Sequence, residues 1–228
     1  MRQIYPDLWQ TTPEHPLPGF PNSVCHAYLL VRKSGNVLFY STGREAIGKV
    51  DDRADHDRME ELGGVGHMLL CHWHEASRSV RTIKERFAAS ILSHARDAPP
   101  IEKESGVAPD LTFWDRQMLL GDIEAIPTPG HTVGSACYQY RSPHGKNYLF
   151  TGDTIWPARG SWTMRSSPRI ERAWTYWRRW SPMWCSRLSP PVTRSKRLRP
   201  PNGRPRRGPQ RRVWASQRSD PRHPSLIP

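Results

Sequence analysis

Three short stretches of this chain end in side chains that bind metal ions. His72 and His74 flank a single residue and follow the apolar run of residues 65–71. Further on come Thr128-Pro129-Gly130-His131-Thr132 and then Phe150-Thr151-Gly152-Asp153-Thr154. Each stretch reads as a short strand that delivers its His or Asp where a turn begins. Alternate residues of a strand share a face, and a strand end bending into a loop can turn both His72 and His74 inward. Imidazole nitrogens with a carboxylate are the donor set that zinc and iron prefer. The chemistry in prospect is metal-assisted activation of water.

These stretches resemble the metallo-β-lactamase-fold hydrolases, the superfamily that includes the glyoxalase II-like thioesterases. That pattern is His-x-His-x-Asp-His, then Gly-His-Thr-x-Gly-Ser, then Thr-Gly-Asp. Here the first segment is His72-Trp73-His74-Glu75-Ala76-Ser77, the second Gly130-His131-Thr132-Val133-Gly134-Ser135 and the third Thr151-Gly152-Asp153. The second and third match in full, and the likeness runs over roughly residues 20–156. The resemblance implies an α/β fold, an αββα sandwich of metallo-β-lactamase type. It also implies that His72, His74 and His131 hold one metal, with Asp153 bridging to a second and orienting water or acting as a base.

The first segment departs from the pattern. Its Asp and final His, which bind the second metal in the family, fall on Ala76 and Ser77. Alanine has no donor atom, and a serine hydroxyl is a poor ligand at neutral pH. Glu75 has the wrong parity to substitute, since on a strand it points away from its neighbours' side. The second metal position is expected to be lost. Two outcomes stay open: the three histidines and Asp153 hold a single zinc that lowers the pKa of its water to about 7, or they are remnants that hold none.

The net charge of +13 would suggest a nucleic-acid partner, but its distribution does not. Residues 1–160 hold 17 Lys+Arg and 19 Asp+Glu, a net of −2, while residues 161–228 hold 17 against two, a net of +15. The second part also carries six of the ten tryptophans and 11 of the 23 prolines, with Lys196 its one lysine. No helix or strand period survives there, and Pro190-Pro191 and Pro200-Pro201 would break either. Residues 1–160 therefore read as an incomplete domain, and residues 161–228 as a disordered tail in place of the fold's final helix and strand.

Arginine, proline, serine and tryptophan together are what a GC-rich gene yields in the wrong frame. Codons built from the third base of one residue and the first two of the next test that idea. Trp174-Thr175 then spells Asp and Tyr176-Trp177 spells Leu, while Met183-Trp184 and Trp184-Cys185 each spell Val. The alternate peptide resembles an amphipathic helix running into a buried strand. A frameshift between about residues 162 and 172 is expected, and with it a chain that is poorly soluble or partly molten.

The remaining chain reads conventionally. Residues 1–9 alternate like an edge strand and lack the apolar core of a signal peptide. Residues 24–31 and 37–40 pair around Lys33-Ser34-Gly35-Asn36, residues 45–62 form a surface helix, and residues 78–89 form a second helix with Val80, Ile83 and Phe87 on one face. Residues 91–94 are a strand, 95–109 a loop, and 113–128 and 136–150 further strands. Cys25, Cys71, Cys137 and Cys185 show no paired spacing and read as buried free thiols, which fits a reducing cytoplasm. No segment approaches the roughly 18 apolar residues of a membrane span.

Three functions remain open from sequence. The leading one is a metal-dependent hydrolase of a small ester or thioester. The second is a metal-free domain of the same fold that binds a small molecule or a partner. The third grips nucleic acid through the arginine-rich tail. Oligomeric state leaves no sequence signal.

Overall fold

The computed structural model describes residues 1–13, 23–42, 52–158, 161–164, 181–183 and 186–188, with side chains described in 1–13, 25–42 and 52–155. The chain begins with β1 (Arg2–Tyr5), β2 (Leu8–Gln10), β3 (Ser23–Cys25), β4 (Tyr28–Leu30) and β5 (Val37–Phe39). The antiparallel β4–β5 pair forms around the Lys33–Asn36 turn read from the sequence. Helix α1 (Arg53–Glu61) then leads to β6 (His67–Leu69), α2 (Arg78–Phe87) to β7 (Ser90–His94) and α3 (Ala98–Ser105) to β8 (Leu111–Phe113). β5 to β8 pair in parallel, which requires such crossovers. The result is a seven-stranded sheet in the order β1-β2-β4-β5-β6-β7-β8, with β1 at its edge.

The second sheet is built from β9 (Gln117–Leu119), β10 (Ile123–Pro127), β11 (Ala136–Arg141) and β12 (Asn147–Phe150), all antiparallel neighbours. β13 (Ile155–Ala158) and β14 (Ser161–Met164) form a separate hairpin. β15 (Ser181–Met183) joins the second sheet parallel to β12, and β16 (Ser186–Leu188) pairs with β3. The expectations for residues 161–228 otherwise lie outside the described residues, as do residues 45–51 of the first expected helix.

Aromatic side chains join the two sheets. Phe39 stacks on Phe150 with ring centroids 3.5 Å apart, and Tyr28, Tyr40 and Tyr138 close around that pair. Rings of this size dominate the apolar area that a core removes from water. Leu38 points to the opposite face from Phe39 and is also fully buried, so the first sheet is covered on both sides. Met59, Val80, Ile83 and Ile101, from the three helices, are buried with it. Two facing sheets with helices outside the first agree with the metallo-β-lactamase type, and the described α-helices all fall between β5 and β8.

Two local readings change. Residues 98–105 form α3 where a loop was expected, because Pro99 and Pro100 occupy the helix's first turn, where no backbone N–H is needed. The expected strand at 24–31 is split into β3 and β4 at His26-Ala27. No described helix is long and apolar enough to cross a membrane.

Candidate metal centre

Three strand ends meet at one place. Three residues beyond β6 the backbone is extended at His72, and Trp73–Glu75 then make one turn of 3-10 helix. β10 runs on to His131, and β12 leads into a 3-10 turn, Gly152–Thr154, that carries Asp153. The loops are tied across the two sheets. The Ala136 N–H donates to the Cys71 carbonyl at 2.8 Å, the Tyr138 hydroxyl to the Leu70 carbonyl at 2.8 Å, and the Gly152 N–H to the Tyr40 hydroxyl at 3.1 Å.

His72, His74 and His131 each present a ring nitrogen, and these atoms lie within 4.8 Å of one another. His74 Nδ1 is 2.8 Å from His131 Nε2. Asp153 Oδ2 is 3.5 Å from both His72 Nε2 and His131 Nε2. Tetrahedral nitrogens around zinc stand about 3.3 Å apart, given bonds of ~2.0–2.1 Å, so the cluster has the right scale. His72 Nε2 is buried without a hydrogen bond of its own while turned toward Asp153, as suits a metal donor.

Burial of His72 works against its charged form, yet the carboxylates of Glu75 and Asp153 outweigh it and raise its pKa from 6.5 to about 9. Without metal the two carboxylates favour the protonated ring. A metal cation bound there takes the place of a proton.

Glu75 corrects the parity argument. It is fully buried, accepts the Cys71 N–H at 2.7 Å and stands 3.0 Å from His72 Nδ1. The period of two applies to strands, and residues 73–75 are a helical turn, which swings Glu75 back onto His72. A carboxylate on the far nitrogen of a metal-binding histidine fixes the ring and its tautomer.

At the expected second position, Ala76 offers no donor. The Ser77 hydroxyl accepts the Ser79 N–H at 3.2 Å and caps α2, the role a serine before a helix commonly fills. Asp97, in the segment read as a loop, is 2% exposed and bonded to both histidine-bearing loops. No motif singles it out.

Three other histidines are engaged elsewhere. His26 bonds the Thr11 carbonyl, His56 meets Asp52 and Thr42, and His94 bonds the Trp114 carbonyl. His15 and His223 lie outside the described residues. Cys71 adjoins His72 but directs its thiol at the Phe150 carbonyl, 3.8 Å away, and burial pushes its pKa well up. Cys25, Cys71 and Cys137 are buried and free; Cys185 is outside the described residues. Trp73 lies against His74, with centroids 3.9 Å apart, and Arg78 is exposed at the start of α2.

No family model matches the chain. It is 25% identical over 134 residues to a hydroxyacylglutathione hydrolase of Pelagibacter ubique, covering 57% of this chain and 51% of that protein. To the enzyme of the same name from Klebsiella pneumoniae it is 34% identical over 90 residues, covering 39% of this chain and 32% of that protein. The chain therefore spans between a third and about half of the length of these curated relatives. Among solved structures, a metallo-β-lactamase from Pontibacter korlensis aligns with a TM-score of 0.60 at 19% identity, over 81% of this chain and 89% of that one. A motif mutant of the Cronobacter sakazakii metallo-β-lactamase aligns with a TM-score of 0.53 at 19% identity, over 68% of this chain and 65% of that one.

Proposed function

Because this chain has the metallo-β-lactamase fold, we propose that it is a one-metal hydrolase of a small ester or thioester. His72, His74 and His131 would hold the ion, and zinc so held lowers the pKa of a bound water to about 7 and polarises a carbonyl oxygen. Asp153, whose Oδ2 is 3.5 Å from two of the ring nitrogens, would orient the attacking water and take its proton. Glu75 keeps His72 turned into the cluster. Trp73 beside His74, and Val133, which is 62% exposed two residues after His131, supply apolar surface suited to an acyl group.

The observation that carries this reading is the convergence of three imidazoles and one carboxylate from two different sheets. The name shared by the curated relatives supports a thioester as the bond broken. With Ala76 and Ser77 in place of ligands, the expected stoichiometry is one zinc per chain. Metal analysis of the full chain, combined with release of free thiol from a hydroxyacylglutathione thioester, tests it. His131→Ala should abolish both zinc retention and thiol release. Two zinc ions per chain, or none, would overturn the proposal.

A further inference from the structure

The structure assigns Asp97 a positioning role: a single carboxylate that sets the spacing between the two loops bearing the histidines. This rests on the metal reading above. Asp97 closes the 3-10 turn that follows β7 and stands at the N-cap of α3. Aspartate there ordinarily accepts a backbone N–H of the helix's own first turn. Asp97 makes no such bond. Its side chain turns away from the helix it begins.

Both oxygens are instead committed to the site loops. Oδ2 accepts the Trp73 N–H at 3.0 Å and the Thr132 hydroxyl at 2.6 Å, while Oδ1 accepts the Gly134 N–H at 2.9 Å. Trp73 lies between His72 and His74, and Thr132 and Gly134 follow His131. An ionised carboxylate accepts at both oxygens, and such charge-assisted bonds are short and strong. An asparagine has one acceptor oxygen, so its amide group would confront an N–H or O–H with another donor. Gly134 fits the same picture, because a β-carbon there would stand 2.5 Å from Asp97 Oδ1. The brace thus fixes the backbones on either side of the 2.8 Å approach between His74 Nδ1 and His131 Nε2.

The test measures zinc affinity of the full chain by competition with a chromophoric chelator, together with the visible spectrum of the cobalt(II)-loaded protein. Asp97→Asn and Asp97→Ala should each bind zinc at least tenfold more weakly and show an altered cobalt spectrum. Asp7 supplies a matched control. It is a buried carboxylate that accepts the Ser142 and Tyr148 hydroxyls at 2.6 and 2.5 Å, at the opposite end of β12 from Asp153. Asp7→Asn should lower the melting temperature and leave zinc affinity within twofold. Unchanged zinc affinity in Asp97→Asn, or equal weakening in Asp7→Asn, overturns the role of Asp97 while leaving the metal reading intact. Absence of zinc binding by the unsubstituted chain overturns both. Should Asp97→Ala fail to fold, Asp97→Asn, nearly identical in volume, decides.

Discussion

A β-carbon added to Gly152 would stand 2.6 Å from the β-carbon of Cys71. It would also come within 3.0 Å of Glu75 Oε1 and 3.2 Å of His72 Nδ1, on a residue whose φ is +49°. The glycine before Asp153 therefore does two things. It adopts the left-handed backbone of the turn, and it lets the β12 strand end press against the His72–Glu75 pair. Gly152→Ala should cost about 1–3 kcal/mol through overpacking. The denaturant midpoint should fall without a change in slope, and an unshifted midpoint would contradict this close approach.

Glu75 yields a second outcome. Removing its carboxylate in Glu75→Ala leaves the buried Cys71 N–H without its acceptor and His72 Nδ1 without its neighbour. The unpaired group alone costs about 1–3 kcal/mol. Zinc affinity should fall by roughly 10–100-fold, as it does when the carboxylate behind a metal-binding histidine is lost. Glu75→Gln keeps an acceptor for Cys71, and so should recover most of the stability but less of the zinc affinity. Chelator competition and thermal melts of the two variants separate these effects.

Glu75 and Asp97 mark where local sequence patterns stop. The spacing of His72, His74, His131 and Asp153 was legible because each sits at a strand end, within a local pattern of turn residues. Strand alternation misplaces Glu75, because that period does not extend into the helical turn of residues 73–75. The helix at 98–105 was hidden by prolines that a first turn tolerates. Asp97 could not be found locally at all. Its partners Trp73, Thr132 and Gly134 are 24, 35 and 37 positions away, and only the fold brings them together.

The buried thiols give a pH-dependent outcome. Burial pushes the Cys137 pKa up from 9.0 to about 11, outweighing the hydrogen bonds from Thr128 and Thr154. At pH 8 its reactive thiolate is then about one part in a thousand, against roughly one in ten for a thiol of pKa 9. Native Cys137 should resist iodoacetamide at pH 8 and react on unfolding, as mapped by peptide mass. The folded state also holds this proton more tightly than the unfolded one. Its contribution to stability is complete below pH 9 and is lost as pH rises toward 11. Labelling of the native protein at the unfolded rate would refute the packing of β11 around this residue.

The parallel pairing of Ser181–Met183 with Tyr148–Phe150 bears on the reading frame. Here the second sheet takes up a strand whose visible residues are Ser-Pro-Met, and Pro182 has no N–H to give to the ladder. Directly after that strand, in the alternate frame, the Met183-Trp184 and Trp184-Cys185 junctions each spell Val, and Cys185-Ser186 spells Leu or Phe where the serine codon begins TC. Parallel strands covered on both faces are rich in such residues. Burying three of them would add about 5–9 kcal/mol as an upper bound, comparable with the net stability of a whole domain. Resequencing of codons 160–175 is expected to reveal a gained or lost base. A chain translated in the restored frame should unfold in one cooperative step, at higher temperature than the chain as written. An intact frame across that interval, or identical melting of the two chains, would leave Ser181–Met183 as the native edge of the sheet.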